Sequence, residues 1–236
     1  MAEPLRGVVF DLFGTLITTS AADVLDDRRM LAEDLGVDAD VFARVRRESR
    51  EQTETGRTGG PEETLTFYAR EAGVEPEPGA LRRASKRWTG ANRRWLAADP
   101  ATLEALDALR ELGYRLGLLT NCGPAVVQVW ADSAFAERFD ATAFSAEIGF
   151  LKPHPETYRI ACQRLGLAPA ECLYVGDGGD NELTGADAAG LHAVLVETGT
   201  EMQRLVAEHE ALTWAGPRIP DLSQVAGLLA AIRSRG

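Results

Sequence analysis

The chain has 236 residues, with 25 lysines and arginines against 36 aspartates and glutamates, a formal net charge of −11 and 45% hydrophobic residues. At roughly 150 residues per domain this length predicts one large domain or a core with one insertion, and the apolar content is that of a globular chain rather than a disordered one. The acidic balance, with no lysine- or arginine-rich stripe, excludes a phosphate-neutralising grip on nucleic acid, and the longest apolar stretch, around Val225 to Ile232, falls far short of the ~20 residues that span a bilayer.

Met1 to Arg6 runs straight into a strand-like segment, with no basic region followed by a long apolar one, so a cytoplasmic protein is expected. Arg6 to Asp11 reads as a buried strand that ends in a carboxylate and enters a tight loop at Gly14-Thr15. Residues 20–96 carry only helical patterns. Val24, Leu31 and Leu35 stand at helical spacings before Gly36, and further helices are expected over 39–52, 61–72 and 79–96. This predicts an all-helical insertion over 20–96, between the two parts of a core, 1–19 and 97–236.

Asp99-Pro100 reads as a cap and first turn, and Leu103, Leu106, Leu109 and Leu112 continue a helical stripe to Gly113. Strands are then expected over 114–120, 141–145, 172–176 and 193–196, with helices over 125–132, 155–165 and 183–189 between them. Strands alternating with helices imply an α/β fold whose mostly parallel, doubly wound sheet is covered on both faces, and ligands of such folds bind beyond the carboxyl ends of the strands. Three cysteines, Cys122, Cys162 and Cys172, are odd in number and lack metal-ligand spacing, so they are expected as thiols.

Four strand ends carry polar residues: Asp11, Thr120 with Asn121, Lys152, and Asp177 with the acidic group behind it. A carboxylate, a hydroxyl donor, a cation and further carboxylates suit group transfer from an anionic substrate, where a positioned nucleophile and charge stabilisation supply most of the rate. At these residues the sequence resembles the haloacid dehalogenase-like hydrolase superfamily. Val9-Phe10-Asp11-Leu12-Phe13-Gly14-Thr15-Leu16 is similar to its first motif, and Leu118-Leu119-Thr120-Asn121 to its second. Leu151-Lys152-Pro153 is similar to the third, and Val175-Gly176-Asp177-Gly178-Gly179-Asp180-Asn181-Glu182 to the fourth. The motifs stand in the family's order across nearly the whole chain, and the helical insertion matches its cap.

The resemblance implies a Rossmann-like core in which Asp11 attacks the substrate, is covalently modified, and is released by water. It implies that Thr120 hydrogen-bonds the transferring group and that Lys152 neutralises charge and restrains Asp11. Asp177 would join Asp11 and the backbone carbonyl of Phe13 in holding Mg²⁺, whose hard character calls for oxygen ligands. Glu182 stands where a second aspartate is usual, with Asp180 its rival; either would reach the ion, act through water, or orient Lys152. Asn121 would contact substrate or shape a turn, and Arg57, in Arg57-Thr58-Gly59-Gly60, would reach an anionic ligand from the cap or be merely solvated.

Phe13 departs from the family's phosphatases, which usually have an aspartate there to protonate the leaving oxygen. Halide leaves without protonation, so Phe13 suits dehalogenation, whereas Gly176-Asp177 resembles the metal-dependent phosphatases. The favoured expectation is a phosphatase of a small phosphorylated metabolite, acting through an aspartyl-phosphate. The alternatives are a metal-independent 2-haloacid dehalogenase and a low-turnover phosphate-binding or regulatory protein. A small anionic substrate is the expected partner, with neither nucleic acid nor membrane, in a monomer or homodimer. His154 and His192 are expected to be structural, and Trp88, Trp95 and Trp130 to pack in core or cap.

Overall fold

The computed structural model describes residues 4–199 and 209–234; positions 1–3 of the amino-terminal segment, and 200–208 and 235–236 of the expected core, lie outside the described residues. Strands β1 (Gly7–Phe10), β2 (Arg115–Thr120), β3 (Ala141–Phe144), β4 (Cys172–Gly176), β5 (His192–Val196) and β6 (Arg218–Ile219) form one sheet. Their order is β3-β2-β1-β4-β5-β6 and every neighbouring pair is parallel. A parallel strand covered on both faces must be apolar at every position, and Val8-Val9-Phe10 and Leu173-Tyr174-Val175 are accordingly buried without interruption.

The order reverses beside β1. From there β2 and β3 build outward on one side, β4 to β6 on the other, and the switch point falls between β1 and β4. In open α/β sheets this crevice is where ligands bind. The register sets Phe10 opposite both Leu118 and Val175, so the residues that follow these strands emerge side by side.

Helices α1 (Ala21–Leu35), α2 (Ala39–Glu48), α3 (Arg50–Glu54), α4 (Pro61–Glu71) and α5 (Pro78–Trp95) follow β1 with no strand between them. Ser20 caps α1 by accepting from the Asp23 N–H at 3.0 Å, and Gly36 ends it at φ 70°, a conformation that lacks a steric penalty only without a Cβ. Leu31, Leu35, Phe42, Leu65, Tyr68 and Trp88 from these helices bury one another in a cluster separate from the sheet's own. Each such side chain contributes about 1.5–3 kcal/mol on burial, so the helical layer has a core of its own. The single helix expected over 39–52 is broken at Ser49, whose hydroxyl donates back to the Val45 carbonyl at 2.6 Å while its backbone leaves helical geometry.

The remaining helices are α6 (Pro100–Glu111), α7 (Pro124–Trp130), α8 (Ser145–Ile148), α9 (Pro155–Leu165), α10 (Glu182–Ala188) and α11 (Val225–Arg233). Ser145, expected to finish a strand, instead starts α8, where its hydroxyl accepts from the Cys122 N–H at 2.9 Å. The two-residue β6 is too short to leave a periodic signal, and α11 showed in the sequence only as an apolar stretch. Among the described residues no helix is long and apolar enough to cross a membrane.

Candidate active site

Asp11 leaves the carboxyl end of β1 and Asp177 that of β4, so the switch point sets two buried carboxylates together. Gly14 makes their approach possible: its φ of 88° turns the loop back, and a Cβ there would overlap the Asp177 carboxylate. Lys152 lies between strands β3 and β4 in sequence and reaches under the pair. Its Nζ donates to Asp11 Oδ1 at 2.5 Å, to Glu182 Oε2 at 2.5 Å and to the Tyr174 hydroxyl at 3.2 Å.

Glu182 opens α10 fully buried and fully occupied. Oε2 accepts from Lys152 and from the Tyr174 hydroxyl at 2.6 Å, while Oε1 accepts from the Gly178 N–H at 3.0 Å. Of the roles open to it, the geometry matches holding Lys152 in place. Gly176 leaves room for that carboxylate, which any Cβ there would strike. Tyr174, read from sequence only as strand core, thus carries a polar function at its tip, and Tyr158 joins from α9 by donating to the Glu182 carbonyl at 2.9 Å.

Thr120 is fully buried at the end of β2, and its hydroxyl has no hydrogen-bond partner among the described residues. Asn121 follows it and locks the Lys152 backbone, accepting from the Lys152 N–H at 2.8 Å and donating to Asp180 at 2.8 Å. Asp180, the rival candidate to Glu182, is bound elsewhere: Arg50 of α3 takes both its oxygens, at 2.8 and 2.5 Å. The pair ties the helical layer to the core. Burial opposes the Asp180 charge, but Arg50 overcomes it and holds the carboxyl below its ordinary pKa.

Arg57 lies away from this centre, exposed and paired with Glu51 at 3.3 Å, because residues 55–60 turn back on α3. His154 caps α9, accepting from the Glu156 N–H at 3.2 Å, and His192 starts β5 exposed. Sequence reading passed over His209, buried with Nε2 3.8 Å from Asp177 Oδ2, and over Glu210, which accepts from the Leu183 and Thr184 N–H groups at 2.8 and 2.7 Å. Both follow the last of the four motifs by some thirty residues with no local pattern to mark them.

A cavity of about 410 Å³ lies between the helical layer and the loops that follow β1 and β2, beside Asp11, Asp177, Lys152 and Thr120, which do not line it. Phe13, Asn121 and Cys122 line it from the core, and Arg28, Arg46, Tyr68, Trp88 and Trp95 from the helices. Two of the three tryptophans expected as packing residues therefore also form cavity wall, while Trp130 stacks on Phe135. Burial pushes the Cys122 thiol well above its ordinary pKa, so no thiolate forms there near neutral pH.

The donor set fits a hard divalent cation. Asp11, Asp177 and Glu182 each bring a carboxylate oxygen within 4.8 Å of the others, and Asp11 Oδ2 is buried with no hydrogen-bond partner among the described residues. With both Glu182 oxygens occupied, Asp11 and Asp177 would be the residues to hold such an ion. Burial first, then the Glu182 charge, pushes Asp11 up to about 7 and Asp177 up to about 8. Burial also opposes the Lys152 charge, but Asp11 and Glu182 outweigh it and keep that ammonium protonated above its ordinary range.

A cation must therefore displace protons near neutrality. Magnesium titrated calorimetrically at pH 7, in two buffers of different ionisation enthalpy, is expected to release protons and to bind more tightly as pH rises from 6 to 8. In the ion-free protein both carboxyls hold protons that the unfolded chain would lose above about 4, so their contribution makes stability fall as pH rises from about 4 to about 8. Binding without proton release, or a wild-type slope of Tm against pH in Asp11→Asn/Asp177→Asn, would refute this account.

A family profile described as haloacid dehalogenase-like hydrolase matches residues 5–190. The glyceraldehyde 3-phosphate phosphatase of Methanopyrus kandleri is 30% identical over 202 residues, 83% of this chain and 85% of that protein. The (S)-2-haloacid dehalogenase 4A of Burkholderia cepacia is 27% identical over 206 residues, 83% of this chain and 84% of its own. Among solved structures, a 2-haloacid dehalogenase from Pseudomonas syringae pv. Tomato superposes with a TM-score of 0.67 at 21% identity, covering 97% of this chain and 99% of that one. A phosphatase from Thermococcus onnurineus gives 0.60 at 20% identity, covering 95% and 98%.

Proposed function

The chain belongs to the haloacid dehalogenase-like hydrolase family, and we propose that within it the protein is a magnesium-dependent phosphatase of a small phosphorylated metabolite. The observation that carries this reading is the abutting pair Asp11 and Asp177. Two buried carboxylates beside a third are costly without a compensating cation, and Lys152 is already shared between Asp11 and Glu182. Relatives named as phosphatases of small phosphate esters support the substrate class.

Asp11 attacks phosphorus; a bond forms to its carboxylate oxygen as the ester P–O bond breaks, and the departing oxygen takes its proton from solvent because Phe13 has none to give. Water then attacks the aspartyl-phosphate, freeing inorganic phosphate and restoring the carboxylate. Lys152 holds Asp11 by Oδ1, which leaves Oδ2 as the oxygen without a donor among the described residues, and its fixed charge opposes the negative charge of the transferring group. The Thr120 hydroxyl is the donor for an oxygen of that group. Bound Mg²⁺, held by Asp11, Asp177 and the Phe13 carbonyl, would neutralise phosphate charge.

Haloacid dehalogenation is the second reading, favoured by Phe13 standing on the cavity wall where an acid would serve an alkoxide. One screen separates the two: phosphate release from a metabolite panel and halide release from 2-haloacids, each with Mg²⁺ and with EDTA. Phosphate release that EDTA abolishes is expected, with aryl esters ahead of alkyl esters by about 10², the usual worth of a missing general acid. Halide release indifferent to EDTA, without phosphate release, would overturn the phosphatase reading.

A further inference from the structure

Two arginines on the cavity wall have no role in the chemistry above. Arg28 projects from α1 and Arg46 from α2, and both line the cavity opposite Phe13 and Asn121. Neither makes a hydrogen bond or ion pair among the described residues, and Arg46 only stacks its guanidinium over the Tyr68 ring, 5.8 Å from the centroid. This is notable in a chain with 36 acidic residues against 25 basic ones, where Arg29, Arg70, Arg87 and Arg94 of the same helical layer all find carboxylates. The carboxylate that shares the cavity, Glu54, is bound by Arg50 at 2.9 Å.

Arg28 is solvent-exposed and Arg46 half-buried, and partial desolvation together with the neighbouring Arg46 lowers the Arg28 pKa to about 10. Arg28 still carries its charge at neutral pH, so two like charges share one wall. An anion between them removes the repulsion and meets two planar forks that suit carboxylate or phosphate oxygens. The reacting phosphate does not need them, since Lys152, Thr120 and the cation site serve it from the core side. The walls between are Phe13, Tyr68, Trp88 and Trp95. A cavity of about 410 Å³ falls within the size range of pockets that take small molecules.

We propose that Arg28 and Arg46 form a subsite for a second anionic group of the substrate, a carboxylate or a second phosphate at the end remote from the reacting phosphorus. This rests on the phosphatase reading only in taking the reacting end to be a phosphate. The substrate class is thus a short phosphate ester with two anionic ends, and the two arginines set specificity.

The test is calorimetric binding of non-hydrolysable phosphonates to the whole protein with Mg²⁺: phosphonoacetate, ethylphosphonate and a bisphosphonate. Wild type is expected to bind a doubly anionic probe about 10- to 100-fold more tightly than ethylphosphonate, the range of a charged hydrogen-bonded contact. Phosphonoacetate or the bisphosphonate leading identifies the second group. Arg28→Gln/Arg46→Gln is expected to bind all three alike, with Arg28→Lys/Arg46→Lys keeping part of the preference and showing that the wall tolerates substitution. Equal wild-type affinities, or a preference that survives in the double glutamine variant, would overturn the subsite. If no phosphonate binds wild type, the phosphatase reading fails and propionate against propionamide decides the subsite. A carboxylate preference lost in the double glutamine variant sustains it, and equal binding ends it.

Discussion

Asp11→Asn is expected to lower turnover by on the order of 10⁴-fold or more while leaving the protein folded. A carboxamide is too poor a nucleophile to form the covalent intermediate, and loss of a nucleophile that acts together with its supporting groups removes most of the rate at once. The fold should tolerate the change because the carboxamide oxygen still accepts from Lys152, which keeps Glu182 as its charged partner. Removing Asp11 also removes a charge whose burial pushes its pKa up to about 7, so Tm should hold or rise. Initial rates on the best substrate of the panel, circular dichroism, and mass spectrometry for a phosphoryl group on the Asp11 peptide check each part. A folded asparagine variant with wild-type turnover would remove Asp11 as nucleophile.

Lys152→Met should damage both activity and stability. Lys152 is the buried cation between Asp11 and Glu182, and taking it away strands two buried carboxylates, an error that costs about 3–5 kcal/mol. For a chain of this length about 2–4 °C of Tm accompanies each kcal/mol, so a fall of roughly 6–20 °C is expected, with turnover down about 10³-fold. The deficit should shrink as pH is lowered, because Asp11, raised to about 7 even beside the ammonium, protonates more readily in the folded variant than in its unfolded chain. Adding Glu182→Gln neutralises one of them and should return part of the stability without returning turnover. An unchanged Tm in Lys152→Met would show that the buried charges are balanced by something other than this ammonium.

The strands that carry the site are legible because burial on both faces forces an unbroken apolar run, and a polar residue at its end stands out, as Asp11, Thr120 and Asp177 do. The sheet order then brings together what the motif spacing only implied. Arg28 and Arg46 could not be found that way. They lie on amphipathic helices among many other arginines, and only the folded cavity distinguishes them from Arg29 or Arg47. Arg57 drew notice for its glycine neighbours, yet those glycines serve a turn that lays it beside Glu51. The partners of Asp180 are equally illegible, since Arg50 lies 130 residues away in sequence. Glu182 could be placed at a motif position, but whether it faces an ion or an ammonium depends on Tyr174, whose hydroxyl no strand pattern reveals.

The central place of β1 sets a timetable for synthesis. Gly7–Phe10 leaves the ribosome before the other described strands of the sheet, yet one of its neighbours, β4, pairs Val175 with Phe10 across 165 residues of chain. At ~5–20 residues per second, roughly 8–33 s pass between the two. The helices of residues 21–95, with an apolar cluster largely their own, can condense in that interval, while the strand that presents Asp11 stays uncovered on one edge. A nascent chain paused before Cys172 therefore shows a sticky strand and no site, and it is at this stage that a holding chaperone has most to bind.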